Sequence, residues 1–306
     1  MTSETITAAA SGTWTLGDLV VNRIGLGTMR LPQQGEAFDV DAVPGDRNRA
    51  LQVLRRAREL GVNHLDTAAF YFSRLRSANE LINSALAPYP DDLVITTKVG
   101  PCRDSSGEWQ THATPGQLRG QVEENLRQLG RDHLDVVNLR IVGADSIAER
   151  FGALAELREA GLIRHLGLSN VGPAQLAEAR AIAPVVCVQN MYGLGSPPDQ
   201  DAFLRACGEQ GIAFVPFYSI AGAGRDAGAS PDAADDDTLL TVARTHGAST
   251  AQIRLAWALH RGPHVLAIPG TGNPDHLAAN VAAGALRLSD DELTALEALH
   301  RNGGTG

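Results

Sequence analysis

Apolar and polar positions along this chain follow two periods, and the two take turns. Short apolar runs bounded by turn residues occur at "VNRIGLGTM" (21–29), "NHLDTA" (63–68), "LVITTKVG" (93–100) and "HLDVVNLR" (133–140). They continue at "HLGLSN" (165–170), "VVCVQN" (185–190), "IAFVPFYS" (212–219) and "VLAIPG" (265–270). Each reads as a strand. Between them the apolar residues fall three and four apart, the spacing of one helical face. "RNRALQVLRRARELG" (47–61) and "ANELINSAL" (78–86) are of this kind. Over 114–130, Leu118, Val122, Leu126 and Leu129 share a face, Thr114–Pro115 supply a cap and first turn, and Gly130 supplies the stop. Ile147, Phe151, Leu154 and Leu157 mark a helix ending near Gly161. Further helices are expected at 173–183, 201–211, within 238–247, within 250–261 and near 290–300.

Strands between consecutive helices are continuous apolar runs, as parallel strands covered on both faces should be. Eight strand–helix units in 306 residues predict a closed (β/α)8 barrel. An open doubly wound sheet would often carry GxGxxG after its first strand. Here "GLGTM" is too short and no helix follows it directly. The reading is a loose tail over residues 1–12 and one barrel domain over 13–306. The small, acidic segment 221–237 reads equally as a flexible loop or a lid over a ligand.

Composition changes little in this picture and excludes some partners. Twenty-six basic against 35 acidic residues leave a net charge of −9, which disfavours nucleic acid or an anionic membrane as partner. Three scattered cysteines show no metal spacing and suit a reducing compartment. The start lacks the marks of a signal peptide, and no apolar run reaches the ~20 residues that span a bilayer. A cytoplasmic protein, monomer or homo-oligomer, is expected.

In such a barrel the chemistry sits at the C-terminal ends of the strands. Those ends read Asp66, Lys98, Arg140, Ser169 with Asn170, Gln189 with Asn190, Tyr218 with Ser219, and Pro269–Gly270–Thr271. Polar residues ending apolar strands are ordinary. A carboxylate followed by a lysine one strand later, with Tyr71 five residues past the carboxylate, is less so. A buried lysine needs a counter-ion, and Asp66 is placed to be one.

The ordered motifs "GVNHLDTAAFY", "LVITTKVG", "GLIRHLGLSN", "VCVQN" and "LAIPGT" with "DHLAAN" resemble the aldo/keto reductase family from about Trp14 to His300. The resemblance implies a (β/α)8 barrel with an N-terminal β-hairpin and extra helices, holding an extended nicotinamide dinucleotide without a Rossmann domain. It implies a tetrad of Asp, Tyr, Lys and His. The first three match Asp66, Tyr71 and Lys98; the fourth falls on Arg140. "DVVNLR", "PYPDDLVITTK" and "EARAIAPVVCVQN" are similar to the bacterial pyridoxal reductase-like branch, where arginine stands at this place.

By the same resemblance Ser169, Asn170 and Gln189 would meet the nicotinamide carboxamide, and Tyr218 would stack on its ring. Gly27, Thr28 and Met29, with Ser219 and Ile268, would border that pocket. Gly270, Thr271, Asn273, His276 and Asn280 would hold the adenosine phosphate. A basic residue is usual where Gly270 stands, and an arginine where His276 stands. NADPH is the expected cofactor, with NADH possible. Apart from the resemblance, Trp109, in the loop after the third strand, could wall an aromatic substrate pocket or merely pin the loop, and Tyr192 after the sixth strand is similar but weaker. His112 reads as a loop histidine; His64 and His165 lie at the wrong end of the barrel.

The implied reaction is reduction of an aldehyde or ketone. Tyr71 would donate the proton, Lys98 would favour its phenolate, and Asp66 would hold Lys98. Arg140 cannot relay a proton at ordinary pH. It can hold an oxyanion or an anionic substrate group, as the ionisable phenol of pyridoxal would supply. It could instead turn aside to pair with Asp66 or another carboxylate. The alternatives are a tailoring enzyme for a sugar or secondary metabolite, with or without net redox change, and a regulatory subunit that senses the nicotinamide cofactor.

Overall fold

The computed structural model describes residues 5–35, 42–103, 108–143, 145–196, 199–220 and 236–303. Most of the 221–237 segment therefore lies outside the described residues. A hairpin comes first: β1 (Thr13–Leu16) pairs antiparallel with β2 (Leu19–Asn22). Then follow β3 (Leu26–Gly27), α1 (Arg47–Glu59), β4 (His64–Asp66), α2 (Ala78–Leu86) and β5 (Val94–Val99). A small ribbon of β6 (Cys102–Arg103) and β7 (Trp109–Gln110) precedes α3 (Pro115–Leu129), β8 (Leu134–Arg140), α4 (Ala148–Glu159) and β9 (Ile163–Ser169). The chain continues through α5 (Pro173–Ile182), β10 (Val185–Gln189), α6 (Asp199–Glu209) and β11 (Ala213–Phe214). It ends with α7 (Asp237–His246), α8 (Thr250–His260), α9 (Pro274–Ala282) and α10 (Asp290–Gly303).

Seven strands form one sheet in the order β11-β10-β9-β8-β5-β4-β3, all parallel. The eighth run, 265–270, makes only isolated parallel bridges. Phe214↔Val265 joins it to one edge, and Ile24↔Ala267 and Gly27↔Gly270 join it to the other. The sheet is thereby closed on itself as a barrel. The expected first strand, 21–29, is split. Its start belongs to the hairpin, and Leu26–Gly27 is the part that forms a strand of the barrel sheet, with Ile24 adding an isolated bridge. Arg23 explains the break: its guanidinium donates to the carbonyls of Ser11, Leu259, Gly262 and Val265.

Local signals set the helix ends. Thr114 and Gln117 form a reciprocal capping box at α3, and Gly130 ends it in a left-handed conformation (φ 65°). The expected tail is shorter than residues 1–12. Ala8–Ser11 form a 3₁₀ turn, Ala8 is buried with its N–H on Leu60 O, and Ser11 Oγ accepts from Ile24 N.

Strand alternation sorts side chains into two cores. Leu65, Ile95, Val137, Leu139, Leu166 and Val188 face the helices in the main core. Val94, Val136, Cys187, Ala213, Val215, Leu266 and Ile268 face inward and pack on Leu16 and Val21 of the hairpin, which plugs the N-terminal end. Gly17, at φ 69° in the hairpin turn, is needed there, because a Cβ would lie 2.2 Å from the His165 ring. Asp18 then pairs with Arg164 and His165, whose hydrogen bonds, Arg164's the stronger, hold its carboxyl well below the usual range. The inward positions change character along each strand, from apolar at the plugged floor to charged and polar at the mouth.

Candidate active site

Register fixes the mouth. Asp66 is opposite Gly27 on one side and Thr96 on the other, so Lys98 stands two residues further up β5 and faces inward with it. Lys98 is opposite Asn138, which places Arg140 a further two residues up β8, opposite Ser169. Lys98 Nζ donates to Asp66 Oδ1 at 2.5 Å and to Thr67 O at 3.3 Å. Both side chains are almost wholly buried. The other Asp66 oxygen accepts from Gln189 Nε2 at 2.8 Å. Lys98 Nζ lies 5.0 Å from the centre of the Tyr71 ring. Burial alone would push the ammonium down. The charge of Asp66 and the Tyr71 hydroxyl, with the hydrogen bonds the ammonium donates to both, outweigh it and hold the pKa above the ordinary lysine value. The site therefore keeps a buried cation charged next to a phenol.

Arg140 does not turn onto Asp66. Both Asp66 oxygens are occupied, and Arg140 Nη1 donates to Ser169 Oγ at 3.2 Å while its guanidinium lies 5.2 Å from the Phe217 ring centre. Among the described residues no carboxylate pairs with it. A cation–π contact and one hydroxyl aim the fork without neutralising it.

Asp66, Tyr71, Lys98, Arg140, Gln189 and Phe217 share one cavity with Met29, Phe70, Tyr218, Ser219, Ile268 and Gly270, while Ser169 is fully buried and does not line it. Phe70, Phe217 and Arg30 in this wall were not picked out by strand-end reading, because Phe70 and Arg30 come from loops and Phe217 is one aromatic among others in "FVPFYS". Several expected wall residues stand elsewhere. Asn170, at φ 61°, uses its amide to donate to Ile141 O, tying the ends of β8 and β9. Thr28 is buried with Oγ1 on Asp66 O. Gly27 does line the cavity, and chain packing demands it as well, since a Cβ would lie 2.7 Å from Ile268 O. Trp109 packs edge-on to Phe70 at 5.7 Å, one residue behind the wall. Tyr192 needs correcting: it is fully buried, stacks on Trp257 and donates to Asp201 at 2.6 Å, so it is outer-layer core. His112 bonds the neighbouring Thr111 on an exposed loop.

A second cavity adjoins the first, with Arg30 in both walls. Thr271, Asn273 and His276 line it at the start of α9, facing Arg49 of α1. Asn280 is buried one helical turn beyond His276. A long ligand could lie from the barrel centre to α9. In the first cavity, Gln189 Oε1 is buried without a hydrogen-bond partner. It would accept the N–H of a carboxamide, and Ser169 Oγ stands beside Arg140 as a hydroxyl partner. The donor set thus fits a nicotinamide head group.

A closed α/β barrel with a buried lysine–carboxylate pair, a phenol and a guanidinium at its mouth is equipped for carbonyl chemistry. The aldo/keto reductase family model matches residues 23–301, and this chain belongs to that family. It is 44% identical over 299 residues to pyridoxine 4-dehydrogenase of Escherichia coli, covering 95% of this chain and 99% of that enzyme. Among solved structures it is similar to an aldo/keto reductase from Klebsiella pneumoniae in complex with NADP and acetate, with a TM-score of 0.75, 28% identity and 92% coverage of each chain. A thermostable aldo-keto reductase in complex with epalrestat aligns with a TM-score of 0.76 at 29% identity, covering 92% of this chain and 97% of that one.

Proposed function

We propose that this protein uses NADPH to reduce small aromatic aldehydes that carry an anionic group beside the carbonyl, pyridoxal being the leading candidate. The observation that carries the reading is a cation, Arg140, that pairs with no carboxylate among the described residues and lies in the same cavity as Tyr71, Lys98 and Asp66. The pyridoxine 4-dehydrogenase of E. coli, matched over 95% of this chain, supports the same substrate class.

When bound, the cofactor supplies the hydride. Gln189 and Ser169 would hold its carboxamide, Tyr218 would face its ring, and Thr271, Asn273, His276 and Asn280 would hold its adenosine end. Tyr71 donates its hydroxyl proton to the carbonyl oxygen as negative charge builds there. Lys98, kept charged by Asp66, stabilises the phenolate left behind. Arg140 supplies fixed N–H donors to the oxygen or to a neighbouring phenolate. It moves no proton, because a guanidinium stays protonated at ordinary pH. All proton traffic at the carbonyl therefore passes through Tyr71.

The test is a panel of carbonyl compounds followed at the nicotinamide absorbance with NADPH and with NADH. Pyridoxal and matched neutral aldehydes of similar size are the decisive pair. The Arg140→Lys variant keeps charge and loses the fork, so it should impair the anionic aldehyde about tenfold more than the neutral one. Equal losses would remove anion pairing. No NADPH oxidation with any aldehyde would remove the reading.

A further inference from the structure

The adenosine end, as read from α9 alone, is short of positive charge. Gly270 has no side chain, and a Cβ there would come to 3.0 Å from Gly27 O across the barrel seam. His276 is a weaker partner for a phosphate dianion than a guanidinium. Two cations do line this cavity, Arg30 and Arg49, and both come from the other end of the chain; of the two, Arg49 faces the start of α9. α1 lies alongside α9, and Asp46 caps α1 by accepting the Arg49 backbone N–H at 2.9 Å. The cap fixes the first turn, and with it the side from which Arg49 reaches toward the 271–276 segment.

Arg49 Nε donates to Gly272 O at 2.9 Å. That single bond spends the inner N–H of the guanidinium and docks its plane on the turn that opens α9. The two terminal nitrogens have no hydrogen-bond partner among the described residues. They share the cavity with Thr271, Asn273 and His276. Among the described residues one carboxylate, Asp46, lines the same cavity, and it is engaged with the cap. The result is a forked donor, oriented by the backbone of the segment to which the adenosine end is assigned.

We propose that Arg49 is the residue that selects NADPH over NADH, its guanidinium taking the 2′-phosphate from the α1 side of the groove. This rests on the nicotinamide-cofactor reading above and deepens it. The side chain is solvent-exposed at its tip and touches neither Tyr71 nor Lys98, so its effect should be confined to nucleotide affinity.

The experiment is direct binding to the full-length protein by calorimetry, using NADPH, NADH, 2′,5′-ADP and 5′-AMP, without turnover. Arg49→Gln should weaken NADPH and 2′,5′-ADP about tenfold or more, the worth of a charge-assisted contact. NADH and 5′-AMP should change by less than about twofold. Arg49→Lys should recover part of the loss, because charge survives without the fork. Equal weakening of all four ligands would mean that Arg49 only braces the Gly272 turn, and the proposal would fall. So would an unchanged ratio of NADPH to NADH. If the unaltered protein binds neither dinucleotide, the cofactor reading itself falls, a result distinct from either.

Discussion

The two ends of the barrel interior are built from the same residue types and put them to opposite uses. At the floor, Arg23 spends its guanidinium on four backbone carbonyls, and burial holds its pKa below the ordinary value. His64 is wholly buried with Nε2 on Thr96 Oγ1, and desolvation pushes it down to about 4, so it is neutral. At the mouth, Lys98 is equally buried yet held charged, and Arg140 makes one hydrogen bond. Full hydrogen bonding does not separate the ends. His64 Nδ1 at the floor and Gln189 Oε1 at the mouth are both unpaired. What separates them is charge left unspent toward an open cavity. Burial neutralises or satisfies a charge where only stability is at stake, and the same burial sharpens it where a carboxylate like Asp66 stands guard.

The contrast can be broken most forcefully at Asp66. Asp66→Asn leaves Lys98 without its counter-ion and should cost about 3–5 kcal/mol of stability at neutral pH, read by urea unfolding. A loss below about 1 kcal/mol would mean that the pair is not what keeps Lys98 charged. Tyr71→Phe comes next. Turnover should drop roughly a hundredfold or more while nucleotide affinity and unfolding midpoint hold, since only the proton donor is lost. Unchanged turnover would remove Tyr71 from the chemistry.

The smallest effect sharpens the floor. His64 has a folded pKa depressed below its unfolded value, so the unfolded chain binds the extra proton between the two. Its contribution is complete above about pH 6.5 and falls as pH drops toward 4. Between pH 8 and pH 5 that amounts to about 2 kcal/mol. Subtracting the stability profile of His64→Gln from that of the unaltered protein should isolate this slope. Parallel profiles would show that His64 is not buried neutral.

Much of this is legible in the sequence. Asp66, Lys98, Arg140 and Gln189 each close an apolar run, and parallel register brings such ends to one mouth. The helices were legible from their own caps, as at Thr114 and Gly130. The split first strand was not, because the four carbonyls that claim Arg23 belong to segments that only the fold assembles. Phe217 under Arg140, and Arg49 opposite Thr271, were hidden for the same reason. Arg49 and Thr271 are more than two hundred residues apart, and no local pattern in "RNRALQ" distinguishes a solvent arginine from one facing a groove. Asn170 misled in the other direction: it stands beside Ser169 in sequence, but its left-handed backbone sends the amide to Ile141 O.

The seam where Gly27 meets Gly270 bears on how such a protein can be re-engineered. The two residues confront each other backbone to backbone, and a side chain at 270 would require the seam to open by a few tenths of an ångström. Installing a basic residue there to strengthen coenzyme preference means moving the joint that closes the barrel. Positions on the helices flanking the groove carry no such linkage. For a designer, or for natural drift, the accessible route to a new coenzyme runs through the rim of the barrel and leaves the hoop intact.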